Sequence, residues 1–212
     1  MMTSDATDLP TERVDSAYLR EIFGDSAGKA QRYHDLLSGE AIEWGLLGPR
    51  EGERIWCRHI LNSAAIHRLI PIGASVLDVG SGAGLPGIPL ALARPDIQVT
   101  LMESLLRRVK FLQLCVDELE LAGQVSVVRA RAEETTKKYD VVVARAVAPL
   151  SRLVHWCAPL MDTCLLAMKG DGVEQELQEA SLVLEQLRLS SVIEKVSAGP
   201  DCPAATVVKI TH

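Results

Sequence analysis

The sequence predicts an α/β fold, one doubly wound and mostly parallel sheet of seven strands. Three observations carry that reading. From residue 73 onward short apolar runs alternate with helical stripes, which calls for parallel strands joined by right-handed crossovers. The first of these runs enters a glycine-rich turn, Asp78-Val79-Gly80-Ser81-Gly82-Ala83-Gly84. The last two runs follow each other with no helix between them, so they pair antiparallel or lie apart.

Taken in order, residues 1–15 are polar with no periodic apolar face and read as a loose tail. Residues 16–72 read as a helical extension. Tyr18, Leu19, Ile22 and Phe23 recur at helical spacing, as do Tyr33, Leu36 and Leu37. Gly24, Gly39 and Gly48-Pro49 punctuate them, and a longer helix is expected over about 51–70, ending at Pro71. Residues 73–212 form the sheet domain, one globular unit with the extension. Its strands are expected at 75–79, 97–102, 125–128, 140–144, 164–168, 192–196 and 206–210. Leu105, Val109, Leu112, Val116 and Leu119 make one helical stripe, with Gly123 suited to its end. Further helices are expected over 151–160 and 173–189.

Composition bounds the function. The chain has 212 residues, 48% of them apolar, and a net charge of −6 that does not advertise nucleic-acid binding. Only the stretch 102–152 is net positive, with nine basic and seven acidic side chains. The five cysteines, Cys57, Cys115, Cys157, Cys164 and Cys202, are odd in number and form no CxxC pair. That pattern reads as reduced thiols in a cytoplasmic protein, with no disulfide framework and no metal site. No apolar run is long enough to span a membrane.

The glycine turn fits two registers. Gly80, Gly82 and Gly84 make GxGxG; Gly82, Gly84 and Gly87 make the GxGxxG of dinucleotide sites. Chemistry favours the first. A pyrophosphate uses main-chain N–H donors at the start of the following helix, and Pro86 and Pro89 remove donors there. Asp78 adds a negative charge that would repel a pyrophosphate and suit an ammonium or sulfonium. S-Adenosylmethionine carries no phosphate and needs close main-chain approach, which glycine permits at up to ~1 kcal/mol each in regular structure. Glu103, ending the second strand, can accept from both ribose hydroxyls. Arg145 and Lys169 follow later strands at the end of the sheet where ligands bind, and each presents a cation there.

These residues resemble the bacterial 16S rRNA 7-methylguanosine methyltransferase family, also called the glucose-inhibited division protein B family. The resemblance rests on Arg58-His59-Ile60-Leu61-Asn62-Ser63, on Asp78 through Leu90, and on Arg107-Arg108-Val109-Lys110-Phe111-Leu112. Arg131-Ala132-Glu133-Glu134, Ala144-Arg145-Ala146 and Lys169-Gly170 continue it. Asn62 stands where many members have Asp. The resemblance implies the class I methyltransferase sheet with an antiparallel final strand. It implies cofactor contacts at Gly80, Leu85, Ala132-Glu133 and Arg145, and methyl transfer to guanine N7 in small-subunit rRNA.

Guanine N7 has a free lone pair at neutral pH, so no general base is required. The RNA is expected to meet Arg58, His59, Asn62, Arg107, Arg108, Arg145 and Lys169. Trp44, Trp56 and Trp156 read as packing rather than base-stacking groups. The partner is 16S rRNA or the small subunit, precursor or mature, and the protein is expected to act as a monomer. The competing readings are a methyltransferase for a small molecule or another RNA base, a nicotinamide enzyme using the second glycine register, and a binding module without turnover.

Overall fold

The computed structural model describes residues 14–199 and 202–212. Residues 1–13 of the expected tail lie outside them. The sheet has seven strands: β1 (Ser75–Val79), β2 (Gln98–Met102), β3 (Val125–Val128), β4 (Tyr139–Arg145), β5 (Met161–Lys169), β6 (Ser190–Val196) and β7 (Ala205–Thr211). Their order is β3-β2-β1-β4-β5-β7-β6. The pairs from β3 through to β5 are parallel, and β7 runs antiparallel to both β5 and β6. The two helix-less final strands therefore pair with each other.

Side chains alternate between the two faces, as the two-residue strand period requires. Val141 and Val143 of β4 join one apolar cluster, Val142 and Ala144 the other. The first face is covered by α1 (Ser16–Phe23), α2 (Ala27–Ser38), α3 (Glu40–Glu43), α4 (Asn62–Ala64), α5 (Gly87–Ala93) and α6 (Leu106–Glu118). The second is covered by α7 (Leu150–Cys157) and α8 (Val173–Gln186). Tyr33, Leu36, Ile60 and Ile66 of the N-terminal helices are fully buried in the same cluster as Val76 and Val99.

Two expectations about helices are corrected. Residues 49–69 are helical but not one α-helix: a 3-10 segment (Pro49–Arg54), a π-helix (Ile55–Leu61), α4 and a second 3-10 segment (Ala65–Leu69) follow one another. Within the π-helix an outside side chain bonds the carbonyls. Arg145 donates to the main-chain oxygens of Arg58 and His59, an intrusion that perturbs the regular ladder. Helix α6 ends at Glu118, and Glu120 (φ 50°), not Gly123, takes the left-handed position after it.

The expectation of reduced thiols throughout is also corrected. Cys57 and Cys202 form a disulfide, their Cα atoms 5.0 Å apart although 145 positions separate them in sequence. Sequence spacing says nothing of such a long-range approach. Cys115, Cys157 and Cys164 remain buried thiols, and burial pushes Cys115 far above the ordinary thiol range and Cys157 up to about 12. Closing so long a loop is worth about 2–5 kcal/mol. Reductant is therefore expected to lower the Tm by roughly 5–20 °C. Thermal scans with and without a phosphine check this, and three thiols, not five, should titrate in denaturant without reductant.

Candidate active site

Beyond β1 the main chain takes positive φ at Gly80 (69°), Gly82 (58°) and Gly84 (98°), so the turn demands glycine. Each glycine answers to a different neighbour. A Cβ on Gly80 would sit 2.9 Å from Cγ2 of Val147. On Gly84 it would strike Ile88 and lie 3.0 Å from the Tyr33 hydroxyl. On Gly87 it would strike Leu101 and lie 2.8 Å from Oδ2 of Asp78. Only at Gly82 is there room, the nearest atom being the Gly80 carbonyl at 3.8 Å. The Tyr33 hydroxyl donates to the Ala83 carbonyl at 2.8 Å, tying α2 to the tip of the turn.

Two acids hold this turn from different sides. Glu103, buried at the end of β2, accepts from Gly82 N–H at 3.1 Å and Leu105 N–H at 2.9 Å, with Arg108 at 3.4 Å. Asp78 does not face the pocket as the sequence suggested. Its fully buried carboxylate lies beneath the turn, where Oδ2 accepts from Gly87 N–H at 3.0 Å and Oδ1 has no partner. Burial pushes its pKa up to about 7, the Gly87 bond offsets part of that, and the Glu103 charge adds to it.

Two cavities open at the carboxyl ends of the strands. The smaller, about 240 Å³, is lined by Gly80, Glu103, Ala132, Glu133, Val147 and Trp156, among others. It brings together four of the predicted cofactor residues. Gly82 stands behind it on Glu103, while Gly84 and Leu85 turn toward the core. The larger, about 1240 Å³, is a cleft with Arg54, Arg58, Asn62, Arg145 and Lys169 on its walls, and Asp171 and Glu179 also lining it. Val147 lines both cavities.

The remaining predicted residues divide. Arg58 is exposed and Asn62 half-buried on the cleft wall. His59 is buried, with Nε2 2.7 Å from Glu51 and Nδ1 3.1 Å from Arg145. Lys169 is buried at its head, donating to the Ala148 carbonyl at 2.8 Å and to Glu176 at 2.7 Å. Glu176 also accepts from Leu150 N–H, so Lys169 clamps the starts of α7 and α8. Arg107 and Arg108 do not line the cleft; Arg108 pairs with Glu103, and Arg107 is exposed with its guanidinium beside Gly45.

Four residues escaped sequence reasoning. Arg54 shares a spacing of four with Arg58 and Asn62, a legible signal. Glu51 precedes His59 by eight positions, about two turns. Val147 gave no signal beyond apolarity, and Trp156 was read as a packing group. Trp156 lines the smaller cavity, with Arg152 5.8 Å above its ring. Trp56, stacked on His34, and Trp44, edge-on to Phe111, are packing groups as expected.

A parallel sheet with one reversed strand next to its far edge, and a glycine-turn pocket over its central strands, defines the class I methyltransferase architecture. Solved structures agree on the fold. The ribosomal protein L11 methylase of Lactobacillus delbrueckii subsp. bulgaricus superposes with a TM-score of 0.56 at 16% identity, covering 78% of this chain and 80% of that one. The TYW2 of M. jannaschii, solved in complex with AdoMet, gives 0.57 at 15% identity, covering 72% and 74%. Within that class the chain belongs to the GidB family, rRNA small subunit methyltransferase G, whose model matches residues 26–199. The ribosomal RNA small subunit methyltransferase G of Thermobifida fusca (strain YX) is 49% identical, over 93% of this chain and 85% of its own. That of Mycolicibacterium smegmatis (strain ATCC 700084 / mc(2)155) is 48% identical, over 88% and 82%.

The Asp78 carboxyl makes stability depend on pH. Its folded pKa of about 7 exceeds the ordinary 3.8, so the folded state keeps a proton that the unfolded chain releases. Stability should therefore fall as pH rises from about 4, with the full penalty present above about 7. Asp78→Asn keeps an acceptor for Gly87 N–H and cannot ionise. Its advantage over the parent in urea midpoint is expected to grow from pH 5 to pH 8; a difference independent of pH would contradict the assignment.

Proposed function

We propose that this protein transfers a methyl group from S-adenosylmethionine to N7 of a guanine in the 16S rRNA of the small ribosomal subunit. The observation that carries the reading is the adjacency of a small pocket beside the glycine turn and a large cleft with cationic walls, with Val147 at their junction. Membership of a family described as small-subunit rRNA methyltransferases supports it. The small pocket, about 240 Å³, is below the usual size for a whole ligand of ~300 Å³ or more, so its occupant must extend toward the cleft.

The donor set fits the cofactor. Gly80 lines the pocket and allows close main-chain approach, Gly82 holds Glu103 in place, and Glu103 keeps unshared lone pairs for ribose hydroxyls beyond its bonds to Gly82 and Leu105. The Ala132-Glu133 turn and Trp156 flank the same space. Gly84 and Leu85 act indirectly, by shaping the turn. When bound, the cofactor supplies an electrophilic methyl on a sulfonium.

The protein's task is then to bind and orient. Guanine N7 presents its lone pair without deprotonation, so the cleft needs no base. Rate enhancement rests on positioning the acceptor and excluding misaligned approaches. Arg54 and Arg58 take phosphate, and Asn62 takes a base edge or sugar. Arg107 contributes a more distant phosphate contact, while Lys169 and Arg108 act through the groups they hold. The protein works as a cytoplasmic monomer on the precursor or mature subunit. Among the described residues no helix is long and apolar enough to cross a membrane.

Mass mapping of methylated bases in 16S rRNA, with and without the protein, tests the reading; an N7-methylguanine that appears only with the protein is expected. By calorimetry S-adenosylmethionine should bind and NAD should not. Glu103→Gln should weaken cofactor binding about ten- to hundredfold, the size of a lost charge-assisted hydrogen bond. Arg58→Glu should raise KM for subunits and reduce the salt dependence by more than one phosphate contact, and Arg107→Glu should do so less.

A further inference from the structure

Arg145 ends β4 at the middle of the sheet, and its side chain is largely withdrawn from water. Its four terminal N–H groups meet four acceptors. Nη1 donates to Oγ of Ser63 at 2.9 Å and to the His59 carbonyl at 3.3 Å. Nη2 donates to the Arg58 carbonyl at 2.7 Å and reaches Nδ1 of His59 at 3.1 Å. All four acceptors lie between residues 58 and 63. The guanidinium therefore has no terminal N–H to spare for an RNA phosphate, although it lines the cleft.

The protonation of His59 follows from its neighbours. A guanidinium only donates, so Nδ1 must offer its lone pair. The proton then sits on Nε2, which donates to Oε2 of Glu51 at 2.7 Å. That same oxygen lies 3.4 Å from Nε of Arg58. One carboxylate thus steadies both the neutral imidazole behind Arg145 and the exposed cation beside it. The charged groups facing His59 are Glu51 from the preceding 3-10 segment, Arg58 from its own helix and Arg145 from β4. Burial and the Arg145 charge favour the neutral ring, against the pull of Glu51.

We infer that His59, backed by Glu51, is a positioning residue for methyl transfer: as a neutral relay it orients Arg145, which fixes the π-helix Ile55–Leu61 and so sets Arg58 and Asn62 at the cleft. The inference rests on the methyl-transfer reading above. Protonation would turn Nδ1 into a donor facing a donor and set two cations against each other. The relay then opens, and the cleft wall loses its register while the pocket beside Glu103 is untouched.

The test uses the full chain with small ribosomal subunits and S-adenosylmethionine across pH 5–8. The variants are His59→Ala, which removes the relay, and His59→Gln, whose amide offers one acceptor and one donor but does not titrate. His59→Ala is expected to raise KM for subunits about tenfold or more, the size of a lost hydrogen bond to a charged group. Its cofactor Kd should stay within about twofold. The parent should lose kcat/KM through a rising KM as pH falls below the ordinary histidine range, and His59→Gln should keep the parent's KM at pH 8 and lack that acid limb. An unchanged KM in His59→Ala, a parallel loss of cofactor affinity, or an acid limb that survives in His59→Gln would overturn the inference. If His59→Ala does not fold, the His59→Gln pH profile decides alone. If the parent methylates no subunit, the proposed function fails. Amide exchange over residues 55–62 then decides the positioning role separately. It should be faster at pH 5.5 than at pH 7.5, after correction for intrinsic rates, in the parent but not in His59→Gln. A pH-independent protection in the parent would overturn it.

Discussion

A cation largely withdrawn from water must find acceptors for its N–H groups, and the end of β4 places a half-buried one, Arg145, against the N-terminal helices. Arg145 takes all four from a single stretch of the N-terminal helices. That requirement shapes the surroundings. It adds a side-chain donor to two carbonyls of the π-helix Ile55–Leu61. It brings the helical segment against the sheet's ligand-binding end, so that one wall of the cleft comes from residues far from the strands in sequence. Tyr33 makes a second such tie, from α2 to the glycine turn.

The glycine turn shows how one motif serves several demands. Gly84 and Gly87 lack side chains because Ile88, Tyr33, Leu101 and Asp78 occupy the space. Gly80 lacks one because Val147 leans over it. Gly82 alone is bare toward open space. The two acids divide in the same way, Glu103 beside a cavity and Asp78 sealed beneath the main chain with one oxygen unpartnered. A motif read as uniformly made for a ligand is, in larger part, made for close packing of strand, turn and helix.

The strands were legible because a two-residue apolar period and a helix between neighbours leave few topologies, and each predicted strand lies where its pattern said. The glycine turn and Glu103 were legible because they are local features of strand ends. What failed was long-range. The reading of Lys169 as a phosphate ligand missed Glu176, which waits seven residues on at a helix start. The expectation that RNA meets His59 missed Arg145, because nothing in the local sequence announces a guanidinium 86 positions away. Arg107 and Arg108 share a basic tract, but a single helical step of about 100° separates an exposed side chain from one committed to Glu103. Burial partners of this kind depend on tertiary contact, which local spacing does not encode.

The bond between Cys57 and Cys202 makes the polypeptide a covalent ring that takes in every strand but β7. A protease that nicks any loop inside that ring releases no fragment, and the severed ends stay tethered through sulfur. The cut halves would thus remain at high effective concentration and re-dock, whereas after the same nick in a reduced chain only non-covalent contacts hold the N-terminal helices to the sheet. Covalent circularity of this sort makes the molecule's survival after damage depend on the thiol balance around it.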